Sequence, residues 1–186
     1  KLEPIKHSDI KFVCEDVNIW FTDQRHFGTL TFCNNCSKLE EKLASLGPDL
    51  LSDNTITLKQ FIDKIRKYPS HTLPKVLMDQ TKFSGIGNYL KSEVLYDARI
   101  SPLRKIEDIT EPEISLLFIS IKTIILNSYK CKGATIRNYS DLSNNDGNYS
   151  FEFKVYNRKI DGFGNNVLKT KTTDGRTTHW VSEIQK

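Results

Sequence analysis

Gly85-Ile86-Gly87-Asn88 is the segment of this chain best suited to chemistry. Two glycines flank one apolar residue, Asn88 follows at once, and an apolar stripe of Leu90, Val94, Leu95 and Ala98 comes next. This pattern predicts a glycine-bent turn delivering the backbone into a helix N-terminus. Such a turn points several N–H groups outward with the positive end of the helix dipole behind them, which suits an anion and above all a phosphate. Asn88 adds a side-chain amide there, and Lys82 and Lys91 add charge. The local pattern also fits a plainer reading, in which Asn88 is an N-cap and the glycines only bend the chain. No strand of the dinucleotide type precedes the turn and a third glycine is missing, so a nucleotide-cofactor fingerprint is set aside.

A second candidate is Arg176, directly after Asp174-Gly175. Asp-Gly between two runs rich in β-branched residues predicts a hairpin with the arginine at its tip. A guanidinium held there suits bidentate phosphate contact, although a solvated turn arginine fits the same local pattern. Cys33 and Cys36 have the spacing of half a zinc site, but no second CxxC or HxxxH completes it, and free thiols in a loop or strand end are expected.

The elements that must hold these residues read as α+β. Ile10 to Val13 and Val17 to Phe21 alternate as strands around Glu15-Asp16, and Thr29 to Phe32 reads as a further strand. Helical spacing covers Thr57 to Tyr68, Thr72 to Asp79, Asn88 to Ala98 and Glu111 to Ser128, the last being the most apolar and the expected buried central helix. Asn138 to Tyr149 reads as a polar loop. Val167 to Thr172 and Thr177 to Val181 form the closing hairpin.

The 186 residues are 38% hydrophobic and 27% charged, with a formal charge of +4, which predicts a globular protein with a mild basic bias. The bias sharpens from Phe151 onward, where seven basic residues (Lys154, Arg158, Lys159, Lys169, Lys171, Arg176, Lys186) face four acids (Glu152, Asp161, Asp174, Glu183). No run approaches the ~20 apolar residues of a membrane-crossing helix.

Taken in order, Asp23 to Gly28, Leu46-Gly47-Pro48-Asp49-Leu50, Asp79-Gln80, Gly85 to Asn88, Ile100-Ser101-Pro102, Gly133-Ala134-Thr135, Val155-Tyr156-Asn157-Arg158 and Gly175 to Trp180 resemble the formamidopyrimidine-DNA glycosylase / endonuclease VIII family, here endonuclease VIII-like. The resemblance spans nearly the whole chain. It implies the end of an N-terminal β-sandwich over residues 1–47, a helix–two-turn–helix DNA-binding domain over 48–150 and a β-hairpin finger over 151–186. It implies base-excision repair of oxidised bases with abasic-site lyase activity, with a non-catalytic module for damaged DNA as the alternative. Asn88, Gly85, Gly87, Lys82, Lys91, Arg158 and Arg176 would meet the backbone, Arg25 and Phe27 would fill the gap left by an everted base, and Thr135 would lie at the damaged nucleotide. The family commonly builds its finger on four zinc-bound cysteines. Here Ile160 to Asn166 has no cysteine, and Val181 and Ile184 stand where a pair is usual, so the finger resembles the zincless variant, held by packing of Phe163, Val167, Trp180, Val181 and Ile184. The family's nucleophile is the α-amine of an N-terminal proline followed by glutamate. Lys1-Leu2-Glu3-Pro4 does not match it, so the chain looks like the family without its catalytic residues and is expected to be inactive alone. No cofactor or metal is expected. The implied partner is double-stranded DNA with damaged bases or abasic sites, bound by a monomer away from membranes, in a DNA-containing compartment (nucleus or cytoplasm).

Overall fold

An antiparallel hairpin opens the chain, β1 (Ser8–Val13) against β2 (Asn18–Thr22), closed by the Cys14 N–H on the Val17 carbonyl. This is a computed structural model, and it describes residues 4, 6–23, 26–52, 55–133 and 152–186. They divide into two compact units, Lys1–Glu41 and Lys42–Lys186. In the first unit Thr29 to Phe32, expected as a strand, carries no strand assignment, because no ladder partner meets it among the described residues. Helix α1 (Cys36–Ala44) follows, with the Asn35 side chain accepting from the Lys38 N–H. Its Leu39 and Leu43 fall at helical spacing but stay exposed, and the helix buries no residue. Cys36 thus opens a helix rather than lying in a loop, and its thiol and that of Cys33 are free and exposed.

The second unit is helical with one small sheet. Helix α2 (Leu58–Arg66) starts at a reciprocal capping box between Thr57 and Gln60, and α3 (Leu73–Leu77) carries Pro74 in its first turn, where a missing N–H costs nothing. Next come α4 (Asn88–Asp97), a single 3-10 turn (Ile106–Asp108) and α5 (Glu111–Lys130). A second capping box, Thr110 with Glu113, opens α5. Arg104 also binds Glu113, and that guanidinium above all holds the Glu113 carboxyl down at about 2.

Helix α5 turns Ile114, Leu117, Ile121 and Ile124 inward, while Leu116, Ile119, Leu126 and Tyr129 stay exposed. The helix buried on every side is instead α4, where Leu90 through Tyr96 are all buried. It lies against α5 on one flank and against the closing sheet on the other. Phe61 joins α2 to this core, its ring 5.0 Å from both Phe83 and Phe118. The closing sheet pairs β3 (Leu168–Lys171) with β4 (Thr177–Trp180) in register Leu168–Trp180 to Lys171–Thr177. Among the described residues no helix is long and apolar enough to cross a membrane.

Candidate nucleic-acid interface

The turn before α4 is braced from below. The Gln80 side chain accepts from the Gly85 N–H at 3.0 Å and donates to the Ile86 carbonyl at 3.0 Å, so one amide fixes both sides of the bend. Gly85 adopts φ +88°, a conformation that favours glycine. Gly47 packs so closely beneath the turn that a Cβ there would lie 2.3 Å from the Lys82 carbonyl, and its N–H donates to the Gln80 carbonyl at 2.8 Å. The N-cap of α4 is Gly87, and no side chain caps it. Asn88 is therefore the first helical residue rather than the cap, and the first-turn N–H groups keep no intrahelical acceptor. Its Nδ2 donates to the Thr177 carbonyl at 3.1 Å, and its Oδ1 is buried without a partner among the described residues.

The closing hairpin meets the same place. Gly175 takes φ +78° in the turn, and Arg176 beside it is exposed, with no side-chain partner among the described residues. Lys91, expected to add charge at the surface, is fully buried: its Nζ lies 2.6 Å from Asp174 Oδ2, with side-chain exposures of 0% and 4%. Burial pushes the Lys91 ammonium down and the Asp174 carboxylate partly restores it. Ser92 Oγ accepts from the His179 N–H at 3.2 Å, and Thr72, the N-cap of α3, hydrogen-bonds Thr173 at 2.6 Å. Asn88, Lys91 and Ser92 thus present one edge of α4 to the hairpin, and the glycine turn and Arg176 become neighbours.

The other edge of α4 holds the approach to the finger. Glu93 Oε1 accepts from the Val155 and Tyr156 N–H groups at 3.0 and 2.7 Å, and Oε2 from the Lys154 N–H at 2.9 Å. Burial pushes the Glu93 carboxyl up, and these three donors offset it only in part. Tyr156 packs its ring on Tyr89, Phe153 and His179. One turn on, the Tyr96 hydroxyl donates to Asp161 Oδ2 at 3.0 Å, and burial with that carboxylate raises the phenol to about 12.

Asp161 organises the turn where the family commonly has zinc ligands. It accepts from the Phe163 and Asn165 N–H groups at 2.9 and 2.8 Å and from Asn165 Nδ2 at 3.1 Å. Burial acts to raise its carboxyl, but these donors prevail and hold it below the usual value. Val181 is fully buried with Tyr96 and Val155, and Val167 and Ile184 pack on them. Neither Val181 nor Ile184 carries a donor atom, and no group of three or more His, Cys, Asp or Glu that could hold a metal occurs among the described residues. The side chains at this turn do not fit zinc. Trp180 is buried and donates to Thr170 Oγ1, whereas Phe163 is 80% exposed and takes no part in the packing, because its N–H, not its ring, faces Asp161.

The remaining candidates are more scattered. Lys82 lies 3.1 Å from Asp79 and 4.0 Å over the Tyr68 ring, so its charge is partly engaged. Arg158 is exposed and its Nε donates to the Phe153 carbonyl at 3.1 Å. Phe27 is 83% exposed in the first unit. Arg25, Thr135 and the polar stretch 138–149 lie outside the described residues. Sequence reasoning missed Glu93, Asp161 and the burial of Lys91. For Lys91 and Glu93 the available signal was their place among Leu90, Val94 and Leu95 on one helix.

A helix-presented glycine turn and an arginine-bearing hairpin are thus fixed to one buried helix. Residues 46–140 match the family model described as the formamidopyrimidine-DNA glycosylase H2TH domain, and 142–186 the one described as the formamidopyrimidine-DNA glycosylase C-terminal domain. The chain belongs to the formamidopyrimidine-DNA glycosylase / endonuclease VIII family. It is 34% identical over 192 residues to the formamidopyrimidine-DNA glycosylase of Prochlorococcus marinus (strain MIT 9215), covering 99% of this chain and 64% of that protein. With the Listeria innocua enzyme of the same name it shares 31% identity over 189 residues, covering 99% and 68%. The fold matches Lactococcus lactis Fpg in complex with an abasic site containing DNA, with TM-score 0.88 and 29% identity over 100% of this chain and 68% of that one. It also matches the MutM (Fpg) protein from Thermus thermophilus, with TM-score 0.87 and 26% identity over 100% and 71%. The chain thus spans just under two thirds of the length of the Prochlorococcus relative.

Proposed function

We propose that this chain is the DNA-binding part of a base-excision-repair enzyme, a bifunctional glycosylase and abasic-site lyase acting on oxidised bases in double-stranded DNA. The observation that carries this reading is the attachment of the Gly85–Asn88 turn and the Arg176 hairpin to one edge of α4. Two phosphate-suited groups from distant parts of the sequence then act as one grip. The relatives' name supports the reading, as do the Lactococcus lactis complexes with Fapy-dG-containing and abasic-site DNA.

In this reading Asn88, the turn N–H groups and Arg176 hold phosphates, with Lys82 and Arg158 adding charge nearby. Lys91 serves from behind, through Asp174. Arg25 and Phe27 fill the space of the everted base, and Thr135 meets the damaged nucleotide. The finger holds its shape without zinc. We infer that the 186-residue polypeptide by itself binds abasic DNA without cleaving it. The test is a titration of the chain with duplex carrying a stable abasic-site analogue and with the same duplex intact, alongside borohydride trapping on true abasic DNA. Preferential binding to the abasic duplex without a trapped adduct is expected. Equal or absent binding to both duplexes would contradict the binding role, and a stoichiometric adduct would show that another amine does the chemistry.

A further inference from the structure

We propose that the buried pair Lys91–Asp174 is a positioning device that aims Arg176 at the DNA backbone, and that Lys91 is not itself a phosphate ligand. This rests on the reading of Arg176 as a phosphate contact. Three bonds join the edge of α4 to the hairpin: Asn88 to Thr177, Lys91 to Asp174 and Ser92 to His179. Only the second is between charged groups, and it is the one that reaches the turn. Asp174 lies two residues before Arg176. Thr172 Oγ1 sits 2.5 Å from Asp174 Oδ1 and 3.1 Å from the Arg176 carbonyl, and the Thr172 N–H donates to that same carbonyl at 3.0 Å. With its hydroxyl hydrogen given to the shorter partner, Asp174, and its N–H to the Arg176 carbonyl, Thr172 couples the carboxylate gripped by Lys91 to the backbone of Arg176.

A buried ion pair adds little net stability over an apolar pair, but it tolerates few geometries, because either charge left alone in the interior is strongly penalised. It specifies register. Here the register is that of the hairpin tip on α4, in a finger whose side chains offer no zinc site. The pair also has an electrostatic consequence. Asp174 would repel an approaching phosphate if it were unneutralised, and Lys91 cancels it from the inner side.

The sign of one measurement separates this role from simpler ones. Deleting an acid beside a phosphate-binding arginine should, by charge alone, tighten DNA binding and steepen its salt dependence. If Asp174 positions Arg176, deleting it weakens binding instead. The experiment is a salt-dependent titration of abasic-analogue duplex with the full chain and its Arg176→Ala, Asp174→Ala, Lys91→Met and Asp174→Ala/Arg176→Ala variants, with melting curves for each. Asp174→Asn, which keeps an oxygen acceptor for Nζ, is the substitute if Asp174→Ala does not fold. Arg176→Ala is expected to lose roughly tenfold or more and about one unit of log–log salt slope. Asp174→Ala and Lys91→Met should each lose a similar factor, Asp174→Asn less, and the double variant should be no weaker than Arg176→Ala alone. Unchanged or tighter binding by Asp174→Ala, or losses that add in the double variant, would overturn the positioning role. If Arg176→Ala itself changes nothing, it is the phosphate reading of Arg176 that fails.

Discussion

At the scale of single residues, the side chains suited to phosphate depend on others that hold their backbone in place. Arg176 faces outward and Asn88 is half-buried, and they are held by an exposed Gln80 bracing the glycine turn and by two buried charges, Lys91 under the hairpin tip and Glu93 under the finger's approach. Glu93 is the sharpest case, since its two oxygens accept three backbone N–H groups. A glutamine there keeps one acceptor and turns a donor toward at least one N–H. Glu93→Gln is therefore expected to cost about 1–3 kcal/mol of stability, the penalty for an unsatisfied buried polar group. Denaturant melts of the two proteins check this, and an unchanged midpoint would mean that the 154–156 backbone finds other acceptors.

At the scale of elements, the legible parts were those whose chemistry is local. Gly85-Ile86-Gly87 and Asp174-Gly175 are turn signals read from neighbouring residues, and α2 and α5 announce themselves through apolar spacing. What was not legible depends on partners far away in sequence. Lys91 reads as a surface charge until Asp174, 83 residues on, is brought to it. Asp161 reads as a loop acid until Tyr96 and its own turn N–H groups converge on it. Helix α4 is buried all round, so it has no polar face to reveal its orientation. The finger yields a prediction at this scale. With Asp161 at its turn and Val181 and Ile184 packed beneath, purified protein should hold well under one equivalent of zinc, and chelator should leave its melting temperature unchanged. Asp161→Ala should lower that temperature. Stoichiometric zinc, or chelator-induced melting, would contradict this.

For the molecule as a whole, the central claim is that two elements 89 residues apart in sequence form one grip on the DNA backbone, joined across α4. Contacts to phosphate carry no base information, so their loss should weaken binding uniformly across sequences. The most direct measurement is the affinity for abasic-analogue duplex at several salt concentrations for wild type, Asn88→Ala and Arg176→Ala, with melting curves in parallel. Asn88→Ala is expected to cost on the order of 1.5–3 kcal/mol of binding, the range for a hydrogen bond to a charged acceptor. Arg176→Ala is expected to weaken binding as well and to flatten the salt dependence by about one unit of slope. Both variants should fold normally. If both fold and bind with unchanged affinity and slope, the grip does not exist, and the turn and the hairpin serve only the fold.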